Sequence, residues 1–140
     1  MIRKVILSIR SQQDSGNGAE NSVQEETGTL LSFDHGFTFS FSHNDDENGP
    51  GYKMSVTADN DSVTIKHSGQ SRYTVTVREG TRSECSYETS YGDLLLGFTA
   101  KKIEAYNDER GAYISLSHDI DSGGSLLSKN EMTIKTREII

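Results

Sequence analysis

The stretch FTFSFSH, Phe37 to His43, decides the fold: Phe37, Phe39 and Phe41 fall on one face, and Thr38, Ser40 and Ser42 on the other. A repeat of two is the signature of a half-buried β-strand, whose successive side chains point to opposite faces. The same alternation recurs along the chain. YKMSV aligns Tyr52, Met54 and Val56; SVTIKH aligns Val63 and Ile65; YTVTV aligns Tyr73, Val75 and Val77. AYISLSHDI aligns Ala112, Ile114, Leu116, His118 and Ile120. β-Branched and aromatic residues fill these inward positions, as a pleated surface favours. Helical periodicity is nearly absent.

Turn-forming clusters separate the runs at hairpin distances: DSGNGAEN, FDHGF, NDDENGPG, DNDS, SGQS, REGTR, SYGD, NDERG and DSGG. Their spacing predicts about nine or ten antiparallel strands in meander order. So many strands must form a sandwich or a closed barrel to hide their edges, and short hairpins throughout favour an up-and-down barrel. The expectation is an all-β chain forming one antiparallel barrel of about eight to ten strands. With 140 residues and no linker or internal repeat, it reads as one domain over residues 1–140. Residues 13–22 and 43–51 are the candidate mobile loops.

Composition narrows the function classes. Hydrophobic residues make up 32% and charged residues 25%, which suits thin sheets with one wet face. The formal charge is -7 and no segment concentrates Lys and Arg, so a nucleic-acid partner is not expected. The apolar run Val5-Ile6-Leu7 is too short for a signal peptide or a membrane span. One cysteine, Cys85, permits no internal disulfide. These features point to the cytoplasm, with no membrane partner.

Chemical motifs are sparse. Asp45, Asp46 and Glu47 are hard oxygen ligands, but their spacing lacks the alternation of an EF-hand, and a solvated hairpin tip explains them. His35, His43, His67 and His118 form no metal-ligand pair; the last three continue apolar faces and read as polar ends of the core. Cys85 reads as a buried thiol, GNGAEN as a loop, and no nucleophile elbow is present. Glu84, Glu88 and Glu104 with Arg72, Arg78 and Arg82 read as cross-strand ion pairs facing solvent. No catalytic residue, metal or cofactor is expected.

Tyr87 to Phe98, YETSYGDLLLGF, reads as a strand, a tight turn at Ser90-Tyr91-Gly92, and a strand carrying leucines, with Gly97 permitting a barrel corner. This segment, with GAYISLSHDID and LSKNEMTIKTRE, resembles the YwiB-like family of small bacterial proteins. The resemblance implies a calycin- or lipocalin-like β-barrel; it carries over no catalytic residue, since the family defines none.

Three functions compete. A binding module would hold a small molecule in or at the mouth of the barrel, with Phe37, Phe39, Phe41, Tyr52, Tyr73, Tyr87 and Tyr91 as candidate lining. The plainer reading is that these aromatics fill the core. An assembly module would form a homodimer through an outer sheet face; Leu95 and Ile103 lie opposite Leu94, Leu96 and Phe98 and give that reading its support. An enzyme is the weakest reading, because nothing in sequence pairs a nucleophile or carboxylate with a partner.

Overall fold

The computed structural model describes residues 2–43, 51–109 and 111–139. The acidic residues Asp45, Asp46 and Glu47, and most of the candidate loop 43–51, lie outside the described residues. The elements are β1 (Ile2–Asp14), β2 (Ala19–Phe33), β3 (Gly36–His43), β4 (Tyr52–Asp59) and β5 (Ser62–Ser68). They continue as β6 (Ser71–Arg78), β7 (Arg82–Thr89), β8 (Gly92–Asp108), β9 (Gly111–Ser122) and β10 (Ser125–Glu138). Each strand pairs with its sequence neighbours, and β1 closes on β10, Val5 opposite Glu138 through Asp14 opposite Lys129. An even number of alternating strands lets that closure be antiparallel and leaves no free edge. This is the up-and-down barrel expected from the hairpin spacing.

The apolar residues of the alternating rows face the barrel interior. Val5, Leu7, Ile9, Leu30, Phe37, Phe39, Val56, Val63, Val77, Ile114, Leu116 and Ile134 are all buried and pack into one cluster. Each such side chain contributes roughly 1.5–3 kcal/mol relative to exposure. They fill the end of the barrel that holds the β2–β3 and β4–β5 turns. At the other end, where β1 meets β2, β5 meets β6 and β7 meets β8, the inward positions become polar or aromatic. There Ser11 and Gln13 (β1), Gln24 and Glu26 (β2), His43, Tyr52, His67, Tyr73, Tyr87, His118 and Asn130 continue the inward rows.

Three local features differ from the sequence reading. Residues 13–22 form an extended hairpin, Gln13 opposite Glu20 and Asp14 opposite Ala19, around a turn with Gly16 and Gly18 at positive φ. Its exposed polar residues carry no core alternation, although the backbone ladder is complete. The β8–β9 ladder runs regularly past Gly97 and shifts register between Ala100 and Lys102. Gly97 lies under the Arg82 guanidinium, whose Nη2 reaches Asp121 at 2.7 Å. The third is the short β6–β7 ladder, registered at Ser71 opposite Thr89 and Arg72 opposite Glu88, with a bridge from Arg78 to Thr81 near the turn.

Of the described residues expected to pair across strands, only Arg82 and Glu84 meet (2.9 Å), and they do so along β7; Arg82 also binds Asp121, Arg78 binds Asp61 (3.6 Å) and Glu104 binds Lys102 (2.9 Å). Glu88 sits opposite Arg72 in register, yet no ion pair joins them among the described residues.

Candidate functional site

The polar end of the barrel carries a continuous row of stacked rings, one from each of five consecutive strands. His43 stacks on Tyr52 (centroids 5.1 Å, planes 24° apart), and Tyr52 on His67 (5.2 Å, 21°). His67 stacks on Tyr73 (5.4 Å, 7°) and Tyr73 on Tyr87 (5.1 Å, 23°). Phe98 joins from β8 (6.2 Å from Tyr73) and carries the row to His118 on β9 (5.8 Å, 20°). The row exists because inward positions at this height on neighbouring strands are cross-strand neighbours, close enough for flat side chains to stack.

Hydrogen bonds hold the rings upright. Glu26 Oε1 lies 2.5 Å from His43 Nδ1, and Gln24 Nε2 donates to the Tyr52 hydroxyl at 2.9 Å. His67 Nδ1 donates to the Ser71 carbonyl at 3.0 Å, and the Tyr87 hydroxyl donates to Ser71 Oγ at 3.2 Å. The proton on Nδ1 leaves Nε2 of a neutral His67 as an acceptor. Tyr73 differs: no hydrogen bond ties its hydroxyl among the described residues. Burial, with Tyr87 and Cys85 beside it, pushes its phenol up to about 12. His118 is buried (8% exposed), and its Nδ1 has no hydrogen-bond partner among the described residues. Burial pulls that imidazole down to about 4, against a weaker opposing pull from Asp119, so it is neutral at pH 7.

Beside the row is a cavity of about 340 Å³. Ile65, Leu96, Phe98 and Met132 supply apolar walls, and Gln13, Tyr73, His118 and Asn130 supply polar ones. Volume and mixed lining both suit a pocket for a small molecule. Among the described residues, no group of three or more His, Cys, Asp or Glu side chains is placed to hold a metal ion.

The seven candidate lining residues separate by height. Tyr73 and Tyr87 line the cavity, and Tyr52 stands in the ring row. Phe41 packs edge-on beneath Tyr52 (5.9 Å, 76°). Phe37 and Phe39 touch each other (5.3 Å) in the closed, filled end of the barrel and do not reach the cavity. Tyr91 requires correction: it is 100% exposed at the β7–β8 hairpin tip, outside the barrel. Alternation tells which face a residue takes but not how far along the barrel axis it sits. Sequence reading missed Gln24, Glu26 and Asn130, which are polar and so break the apolar pattern. Their signal is register, since Glu26 stands opposite Leu7 and Gln24 opposite Ile9.

Cys85 is buried, and burial raises its thiol's pKa, which keeps it protonated and unreactive. Among the described residues, no helix is long and apolar enough to cross a membrane.

Comparison with known proteins agrees with this architecture. A family model described as a domain of unknown function, DUF1934, matches residues 7–134. The crystal structure of ywiB protein from Bacillus subtilis superposes with a TM-score of 0.84 at 21% identity, covering 99% of this chain and 94% of that one. That likeness is one of fold. No curated protein matches the chain.

Proposed function

Because the chain belongs to the DUF1934 family, whose description names no activity, we propose from the geometry of the barrel mouth that the protein is a non-catalytic binder of a small, uncharged, ring-bearing molecule. The observation that carries this reading is the stacked row from His43 to Tyr87 beside an unfilled cavity. A flat ring fits beside such a row by offset stacking. The hydroxyl of Tyr73 offers a donor, and the side-chain amides of Gln13 and Asn130 offer acceptors, to fix its orientation. An anion is the poorer guest, because the cavity lining holds a neutral His118 and the acidic Glu131, with no Lys or Arg among them. With its single, buried cysteine, the protein suits a reducing compartment, and we assign it to the cytoplasm.

The test is native mass spectrometry of protein purified from its own cells, beside Leu96→Trp, which fills the cavity. A ring-bearing molecule retained by the wild type and lost from the variant supports the reading. Equal loads on both proteins would count against it.

Exposed leucines favour a second reading, association of two copies. Leu94 (56% exposed), Leu95 (60%), Leu126 (55%) and Leu127 (47%) lie on the β7–β8 and β9–β10 hairpins at the mouth. Light scattering at micromolar concentration tests it; a monomer there removes it.

A further inference from the structure

The outer face of β1 to β6 carries a groove of about 780 Å³, lined mainly by outward-facing residues and also touching Phe41, Met54 and His67. Its floor is made of short hydroxyl side chains. One cross-strand row runs Lys4, Thr29, Ser40, Ser55, Lys66 over β1 to β5, each residue opposite the next. A second row runs Ser42, Lys53, Ser68. Four strand spacings separate Lys4 from Lys66, about 19 Å between backbones, so two long amines flank a hydroxyl floor. Lys53 and Arg72 complete the lining on β4 and β6, each one diagonal step from Lys66, about 7 Å away in such a sheet.

Gly28 is part of that lining, at an inward-facing position where a Cβ would collide with the Ser40 carbonyl oxygen and come 2.9 Å from Leu7 Cδ1. Backbone therefore stands in for a side chain at this point, and the short hydroxyl residues around it leave the groove open.

Charge makes the groove specific. Arg3, Arg78, Arg82, Lys101, Lys102 and Arg137 are all paired with carboxylates. Lys4, Lys53, Lys66 and Arg72 have no ion pair among the described residues, and no acidic side chain lines the groove with them. A chain of formal charge -7 therefore gathers four uncompensated cations into one hollow. They come from four strands and are scattered in sequence, so no basic run announces them.

We propose that this groove binds a small anion carrying more than one phosphate group. Lysine amines and the arginine fork pair with phosphate oxygens, and serine and threonine hydroxyls donate to them. Two considerations set the size. Beyond a Debye length of about 8–10 Å the local field is screened, and the acidic remainder of the surface repels a long polyanion. The neighbouring aromatics Phe41 and Tyr52 point into the barrel, so the groove has no outward platform for stacking the bases of a single strand.

Calorimetry with inorganic tripolyphosphate tests this directly. The wild type should bind one equivalent, and Lys53→Gln/Lys66→Gln should weaken binding at least tenfold. Arg10→Gln/Lys129→Gln, which removes two cations outside the groove, should leave binding within twofold. Leu96→Trp should also bind normally, which separates this site from the lumen. All four proteins should show cooperative melts, since the substituted cations are exposed and make no pairs. The proposal is overturned if tripolyphosphate fails to bind at millimolar concentration or if the control pair weakens binding as much as the groove pair. It is equally overturned if a single-stranded oligonucleotide binds while tripolyphosphate does not.

Discussion

His67 and Tyr73, opposite each other on β5 and β6, stack with their planes 7° apart at the centre of a ring row that spans five strands. His67 is fixed from behind by its bond to the Ser71 carbonyl, and Tyr73 is held only by stacking. One partner is rigid and the other keeps a free hydroxyl beside a cavity. That asymmetry makes Tyr73 the residue to follow.

The Tyr73 phenol should ionise well above the ordinary range of a tyrosine. Burial disfavours its phenolate and pushes it to about 12, against an ordinary value of about 10. A titration followed by tyrosinate absorbance should show a late step that Tyr73→Phe removes. A titration unchanged by that substitution contradicts the burial described for it.

His118 should make the protein acid-sensitive. Above pH 6.5 the imidazole is neutral in both folded and unfolded chains. Between pH 6.5 and about 4 the unfolded chain takes up a proton that the folded one refuses, so stability falls as pH drops through that window. The full loss is on the order of 3 kcal/mol, complete near pH 4. Urea unfolding at pH 7 and pH 4.5 measures it. His118→Phe should reduce the difference between the two, and an equal difference in both proteins would contradict the assignment.

Gly28→Ala should destabilise the barrel by about 2 kcal/mol, the range for forcing extra volume into a packed interior. The obstacle is the backbone carbonyl of Ser40, which cannot rotate away as a side chain would. Chemical denaturation gives the value. A loss below about 0.5 kcal/mol would contradict the close approach of the Ser40 carbonyl to this position.

Gly97 presents the opposite case. A Cβ there meets the Arg82 guanidinium, a flexible end held by Asp121 and Glu84. Gly97→Ala should lower the melting temperature of the wild type and have little effect in an Arg82→Ala background. Equal effects in both backgrounds would show that Arg82 is not what the glycine accommodates.

The barrel was legible because its apolar rows are regular: Phe37, Phe39 and Phe41, or Ala112 to Ile120, state strand and facing at once. The site was legible only in part. Tyr73 and Tyr87 belong to those rows, and three of the histidines extend them, but height along the axis separates a filler such as Phe39 from a wall such as Tyr73. Height depends on strand stagger around a closed barrel, which is a property of all the registers together. Gln24 and Glu26 are invisible to an apolar pattern because they face inward where the core has ended. Lys4, Lys53, Lys66 and Arg72 lie far apart in sequence and meet only through cross-strand rows.

Carbon-edited NMR of the histidine and tyrosine rings decides whether the barrel mouth binds a small molecule. A set of uncharged one- and two-ring compounds should include members that shift His67, Tyr73 and Tyr87 together, saturably at one equivalent, and not in Leu96→Trp. If no compound moves these rings, or if the cavity-filled variant responds as the wild type does, the mouth of the barrel is not a binding site.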